Sequence, residues 1–333
     1  MLMRTKKRNE AFDILRGIGI VLMVMGHIGF GKVFDKYIHT FHMPIFFFVS
    51  GYFFNTKDNF KSFFLHQLKT IMVPYTLFVL LCQPLHYIYT GEWSLSYFVL
   101  SFFTSNRNRI DVAGAFWFLL CLFSAKILFY AIIRFAKGIW TSVTVFTLTI
   151  MSNYMRVKLP LCLDSAFSMI LVMYVGYLLS TYKEKKLVKR VMNLPIAATI
   201  PLLVINGILI MLNEPVNIRC NYFGNVPLFW INVSIAILCY YSLAQTISKV
   251  SYRVFQWIKN VLTFFGRESI VALVTNELII GVIDLAFAII NLNKSVLGTT
   301  FYSFIVLTLT LITIAILAYI IENTKLKFCI GKF

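Results

Sequence analysis

Apolar runs of about 20 residues, the length a helix needs to cross the hydrocarbon of a bilayer, recur along the whole chain with short basic or polar stretches between them. Lipid offers the backbone no hydrogen-bond partners, so a run of this length must satisfy its own N–H and C=O groups, and a helix does so. Composition points the same way. The 333 residues are 59% hydrophobic and 13% charged, where soluble domains run about 45–50% and about 25%, and the mean hydropathy is +0.80. The chain reads as an all-α integral membrane protein.

Ten runs qualify as spans: 14–31, 38–55, 71–90, 114–136, 139–155, 163–181, 194–212, 226–247, 268–290 and 300–321. They form a single transmembrane domain over 1–333, with no soluble domain attached. Residues 94–103 (SLSYFVLSFF) are too short to span and are expected to lie in the interface or to re-enter it. The first run is not a cleavable leader, since it holds Arg16 and His27, lacks a small-x-small cleavage site and is followed at once by more apolar sequence.

The net charge of +18 is spread over inter-helical stretches and accompanies no nucleic-acid motif, so its partner is the membrane surface. Arg4, Lys6, Lys7 and Arg8, the group Lys183, Lys185, Lys186, Lys189 and Arg190, and Lys249, Arg253, Lys259 and Arg267 all fall on one side of a ten-helix bundle. The other side holds fewer, among them Lys32, Lys36, Arg107, Arg109 and Arg219. Basic loops stay inside, which predicts both termini in the cytoplasm. The six cysteines have no metal-site or redox spacing; Cys162 and Cys220 fall in loops on the outer side, where a disulfide between them is open.

Ionisable groups inside the spans carry the functional signal, because each costs on the order of 2.5–3.5 kcal/mol at a helix centre. In FDILRGIGIVLMVMGHIGF (12–30), Arg16 and His27 are 11 residues apart. They share a helix face about 16 Å apart along the axis, and Asp13 lies within pairing reach of Arg16. The stripe Asp13, Arg16, Ile20, Met23, His27 therefore looks into the bundle. In YIHTFHMPIFFFVSGYFF (37–54), His39 and His42 stand one turn apart before Pro44, and Ser50-Gly51 follows. No carboxylate or cysteine spacing supports metal at these histidines. Phe46, Phe47 and Phe48 read as packing or lipid-facing surface.

These stretches resemble the acyltransferase family 3 membrane proteins, which O-acylate bacterial surface polysaccharides. RNEAFDILRGIGIVLMVMGH is similar to the family's opening with its Arg-x10-His pair, FHMPIFFFVSGYFF to its second signature, and GAFWFLLCLF (114–123) to its Trp-Phe-Leu segment. FFGRESIVALVTNELI (264–279) resembles a C-terminal segment that in many sugar-acetylating members ends in histidine, where this chain has Asn276. The resemblance implies a cytoplasmic acyl-CoA donor, acetyl-CoA as the expected substrate, and a carbohydrate hydroxyl as acceptor, in a bacterial cell membrane. It nominates His27 as the catalytic histidine, with Arg16, Asp13 and His42 completing the centre. Arg16 and Trp117 fall to the donor, and Ser50, Asn276 and Glu277 to the acceptor. Glu277 could stand in for the missing histidine or pair with Lys126.

In that reading His27 removes a proton from the sugar hydroxyl or carries the acyl group itself, and the residues do not separate the two. Arg16 offers a planar fork to a coenzyme A phosphate, so a donor channel would run along the first helix. Two other classes remain open: a transporter or flippase for a glycan precursor, against which the absence of an obvious repeat weighs, and a family member that has lost catalysis, which Asn276 keeps alive. A second copy of the chain is a further candidate partner.

Overall fold

The computed structural model describes residues 9–56, 59–91, 94–104, 115–155, 157–292 and 294–333. Arg4, Lys6, Lys7, Arg8, Arg107 and Arg109 lie outside them. The described residues form sixteen helices: α1 (Glu10–Ile28), α2 (Lys32–His39), α3 (His42–Tyr52), α4 (Phe60–Gln67), α5 (Val73–Thr90), α6 (Leu95–Thr104), α7 (Phe116–Phe135), α8 (Ile139–Tyr154), α9 (Leu163–Thr181), α10 (Lys186–Met192), α11 (Ile196–Leu212), α12 (Val226–Ser248), α13 (Arg253–Arg267), α14 (Ser269–Ile289), α15 (Lys294–Leu297) and α16 (Thr299–Glu322). A π-helical turn, Leu68–Met72, joins α4 to α5. Among these residues the only β-pairing is a single bridge between Asn217 and Tyr222.

Among the described residues seven helices are long and apolar enough to cross a membrane, and an eighth span arises if α10 and α11, bent by 70°, count as one. The protein is a multi-pass membrane protein. Three of the ten expected spans do not pass as single helices. One is 194–212, where α11 has 17 residues and qualifies only together with α10. The run 38–55 is broken: α2 stops at His39 and α3, 11 residues long, starts at His42. Pro44 explains the break, since it has no N–H for the Thr40 carbonyl and its ring would collide with that carbonyl in a continuous helix. Placed in the first turn of α3, Pro44 costs nothing. The run 139–155 becomes α8, with 16 residues. A further element, α13, falls in a stretch read from sequence as a basic loop. It is an amphipathic helix, with Tyr252 at its start and Phe255 and Trp257 on its exposed side.

Caps set the ends that matter. Asn9 caps α1, its Oδ1 accepting from Ala11 N–H at 3.2 Å, and Gly29, at φ +81°, closes it with its N–H on the Met25 carbonyl. α12 starts with Pro227 in its first turn under Asn225, whose Oδ1 accepts from Leu228 N–H at 3.1 Å.

α1 is the central helix, packed by α2, α3, α12, α13, α14 and α16. Its tightest crossing is with α13. A Cβ on Gly17 would collide with the Leu262 carbonyl, and one on Gly266 with that of Asp13. α3 crosses α9 in the same manner through Gly51, against Met173, and Gly176, against Phe48. Bare Cα atoms let the backbones touch, which is how helices gain packing contacts in lipid. Phe46, Phe47 and Phe48 are all buried, so they pack rather than face lipid.

A polar network ties α8 and α9 to the loop before α12. Ser152 and Ser168 share a hydrogen bond of 2.8 Å, Ser168 donates to Asn153 at 3.1 Å, and Asn221 donates to the Ser152 carbonyl. Ser165 donates to the Ile218 carbonyl at 3.1 Å. All six cysteines are free, with Cys162 buried and Cys220 exposed, so the disulfide left open by topology is not formed.

Candidate active site

Two cavities are stacked along α1. One, of about 210 Å³, opens at its C-terminal end and is lined by Met23, His27, His39, His42 and Trp117, with Val216–Arg219 of the tethered loop over them. The other, of about 290 Å³, lies toward the N-terminal end and is lined by Arg16, Ser50, His66, Thr70, Lys126 and Ser269 among apolar neighbours. Because α1 is unbroken, the 11 residues between Arg16 and His27 correspond to about 16 Å of rise. Ile20, fully buried, lies between the two levels. Phe46 and Phe118, edge-to-face with centroids 5.5 Å apart, belong to the lining of the Arg16 cavity. Met43, three residues before Phe46, and Trp117, next to Phe118, line the His27 cavity. The aromatic pair and Met23 thus stand between the chambers.

In the upper chamber His27 meets Glu277 of α14, with Nδ1 2.9 Å from Oε1. A carboxylate oxygen accepts, so Nδ1 carries a hydrogen, and in the neutral ring Nε2 is the atom with the lone pair. The other two imidazoles are set in the same tautomer by local backbone. His39 Nδ1 lies 2.6 Å from the Asp35 carbonyl and His42 Nδ1 2.7 Å from the Ile38 carbonyl. Each therefore donates from Nδ1 and keeps Nε2 as an acceptor. The His39 and His42 rings are edge-to-face, 5.3 Å apart. Gly26 leaves room for this packing: a Cβ there would come within 3.2 Å of His39 Cε1.

Behind the lower chamber Asp13, 1% exposed, accepts from Arg16 Nη1 at 3.1 Å, and its second oxygen lies 3.5 Å from Arg267 Nε of α13. The Arg16 guanidinium also stands 5.9 Å from the Phe53 ring centroid. Arg16 is 28% exposed and Asp13 nearly sealed, an arrangement that fixes one side of the fork and turns the rest toward the cavity.

The sequence-nominated residues divide between the two levels. His27, His42 and Trp117 come together, joined by Glu277; Asp13, Arg16 and Ser50 belong to the lower level, so Ser50 is not beside His27. Asn276 lines neither cavity. It is 0% exposed, and its Nδ2 donates back to the carbonyls of Ala272 and Leu273 at 3.0 and 2.8 Å. Lys126 does not pair with Glu277; it donates to Gln67 Oε1 at 3.0 Å. His39, Lys126 and His66 were given no site role from sequence. For Lys126 the signal was present, a lysine alone in an apolar run, which by itself marks a functional candidate.

The family described as an acyltransferase domain matches residues 9–319 of the chain. No curated protein and no solved structure matches it.

Proposed function

The chain belongs to this acyltransferase family, and on that premise we propose that it is a bacterial inner-membrane O-acetyltransferase, moving acetyl from cytoplasmic acetyl-CoA to a hydroxyl of a surface polysaccharide or its lipid-linked precursor. The stacking of a cationic chamber under an imidazole chamber along one helix is the observation that carries this reading. With the termini in the cytoplasm, as the basic loops favour, Arg16 faces the donor side and His27 the acceptor side. The rise of about 16 Å between them is comparable with the reach of an extended pantetheine arm.

The chemistry follows from the His27 tautomer. Nε2 takes the proton of the acceptor hydroxyl as its oxygen attacks the thioester carbonyl; the new C–O bond forms and the C–S bond breaks. The imidazolium then returns the proton to the leaving thiolate. Glu277, on Nδ1–H, holds the ring in place and stabilises its charged form, the role a carboxylate plays behind a catalytic histidine. An acyl group carried on the ring would bond to the same Nε2. His42 Nε2, a second acceptor in the chamber, suits the orientation of the acceptor hydroxyl, and Trp117 the enclosure of the acyl end. Arg16, steadied by Asp13, suits a phosphate of the donor.

The test is transfer of labelled acetyl from acetyl-CoA by the purified full chain in nanodiscs, with hydrolysis to free acetate as the acceptor-independent readout. Turnover that vanishes in His27→Ala supports the reading. Turnover that persists there removes His27 from the centre, and glycan movement without any acyl transfer would point to a transporter instead.

A further inference from the structure

Lys126 is a side chain of the lower chamber that the mechanism above leaves unused. It stands in the middle of α7, a span of 20 residues with Trp117 at one end and Arg134 at the other. Its partner is the neutral amide of Gln67, at 3.0 Å, and among the described residues no carboxylate lies within ion-pair distance of it. Arg16 shares its cavity, and the described lining of that cavity holds no Asp or Glu. Asp13 is committed to Arg16 and Arg267. Two cations thus face one cavity, and among the described residues Lys126 has only an amide opposite it, inside a membrane where an uncompensated charge is costly.

The depth of the two charges agrees. Trp117 shares a chamber with His27, and Lys126 lies nine residues further along α7, about 13–14 Å of rise. Arg16 lies about 16 Å from His27 along α1. The two cations therefore sit at nearly one level. The backbone opposite them is unusual as well. Gln67 ends α4 and passes directly into the π-helical turn Leu68–Met72, of which Thr70 and Ile71 line the same cavity. A π-helical turn widens the helix by one residue and commonly marks a functional position. Here it turns the Gln67 amide onto Lys126 and the Thr70 hydroxyl, which donates to the His66 carbonyl at 2.8 Å, into the cavity wall.

We propose that Lys126 and Arg16 together form a phosphate clamp, closing on the pyrophosphate of a coenzyme A thioester, with Gln67 holding the lysine ammonium in position for it. This rests on the acyl-CoA reading and adds to it a residue and a specificity: the donor is selected by its phosphates at this depth, and the thioester is thereby set at the level of His27. An anionic lipid headgroup presents the same phosphate chemistry and must be separated by experiment.

Coenzyme A and pantetheine, which lacks the phosphates, are titrated by calorimetry into the full-length protein in nanodiscs. Lys126→Gln is expected to weaken coenzyme A by about 10- to 100-fold, the loss of hydrogen bonds to a charged group, while pantetheine binds as before. In turnover it raises the KM for acetyl-CoA and leaves kcat at saturation close to that of the parent. Gln67→Glu guards against a folding artefact. It puts a carboxylate beside Lys126 and cancels the cation, so thermal stability should hold or rise while coenzyme A binding falls. Lys126→Arg keeps the charge and should retain binding. Lys126→Gln that binds coenzyme A like the parent, or that loses coenzyme A and pantetheine alike, overturns the clamp while the acyl-CoA reading stands. If the parent chain fails to bind coenzyme A in zwitterionic nanodiscs, the acyl-CoA reading itself falls. Equal affinity in zwitterionic and phosphatidylglycerol nanodiscs supports a nucleotide ligand. Binding abolished by the anionic lipid assigns the pair to a headgroup and overturns the clamp.

Discussion

The two chambers along α1 are built from different chemistry although one helix supplies both. Around His27 every imidazole has its Nδ1 hydrogen on an oxygen, of Glu277, Asp35 or Ile38, and presents Nε2 as an acceptor. Around Arg16 the polar lining is a guanidinium and an ammonium, with hydroxyls and the His66 imidazole beside them. The first arrangement suits taking a proton, the second holding an anion. Separation along the helix puts the two tasks about 16 Å apart in depth. What differs between the chambers is therefore the sign of what they await, and the two can be broken independently.

The largest expected effects come from crossing the two. His27→Ala should lower turnover by about 10²–10⁴-fold, the usual contribution of a positioned acid–base group, with coenzyme A affinity unchanged. Arg16→Ala should do the reverse, weakening coenzyme A while a saturating donor recovers much of kcat. Titration and steady-state kinetics on the same preparations decide it. A single variant that removes both properties would mean that the chambers are one site.

Glu277→Gln comes next. The amide keeps a hydrogen-bonding group near Nδ1 but loses the charge that steadies the imidazolium, and it can present its NH₂ and force the wrong tautomer. A fall of about 10²-fold in kcat is expected, with donor affinity intact. An unchanged kcat would show that Glu277 is a packing partner only.

Gly266→Ala probes the lower chamber from behind. The methyl would strike the Asp13 carbonyl, and forcing α13 away from α1 is expected to cost about 1–3 kcal/mol. Asp13 and Arg267 are displaced relative to each other, so coenzyme A binding should weaken more than acetyl transfer at saturating donor. Thermal unfolding and the two kinetic constants together measure it. Equal loss at both levels would mean that α13 supports the whole of α1 rather than its Arg16 end.

How much of this was legible beforehand depended on whether the cause was local. The α9 span, Leu163–Thr181, and α12, Val226–Ser248, follow from hydropathy and caps within the segment itself. The stripe of Asp13, Arg16, Met23 and His27 follows from helical period. Pro44 also acts locally: a proline at this place kinks or starts a helix, and α3 starts with it in the first turn. α13 was hidden because a span count discards short amphipathic stretches. Partners across helices were not legible at all. Whether Glu277 met His27 or Lys126 depended on how α14 sits against α1 and α7, which no single segment encodes.

The smallest effect expected separates two adjacent residues of α14, Asn276 and Glu277, which the sequence placed together on the acceptor. One hundred degrees of helical turn divides them, and their surroundings differ accordingly: Glu277 reaches His27, whereas Asn276 is sealed in the packing with its Nδ2 on its own helix and, among the described residues, no partner for Oδ1. The carbonyls it reaches belong to helical residues that already accept along the chain, so little depends on its amide, while a buried unpaired oxygen carries a desolvation cost of about 1–3 kcal/mol. Asn276→Leu removes that oxygen at similar size. Thermal stability should hold or rise slightly, and acetyl transfer should stay at the parent level. A marked loss of transfer with stability intact would return Asn276 to the acceptor site, in a conformation where α14 rotates to bring it toward His27, and would make the pairing of His27 with Glu277 one state of two.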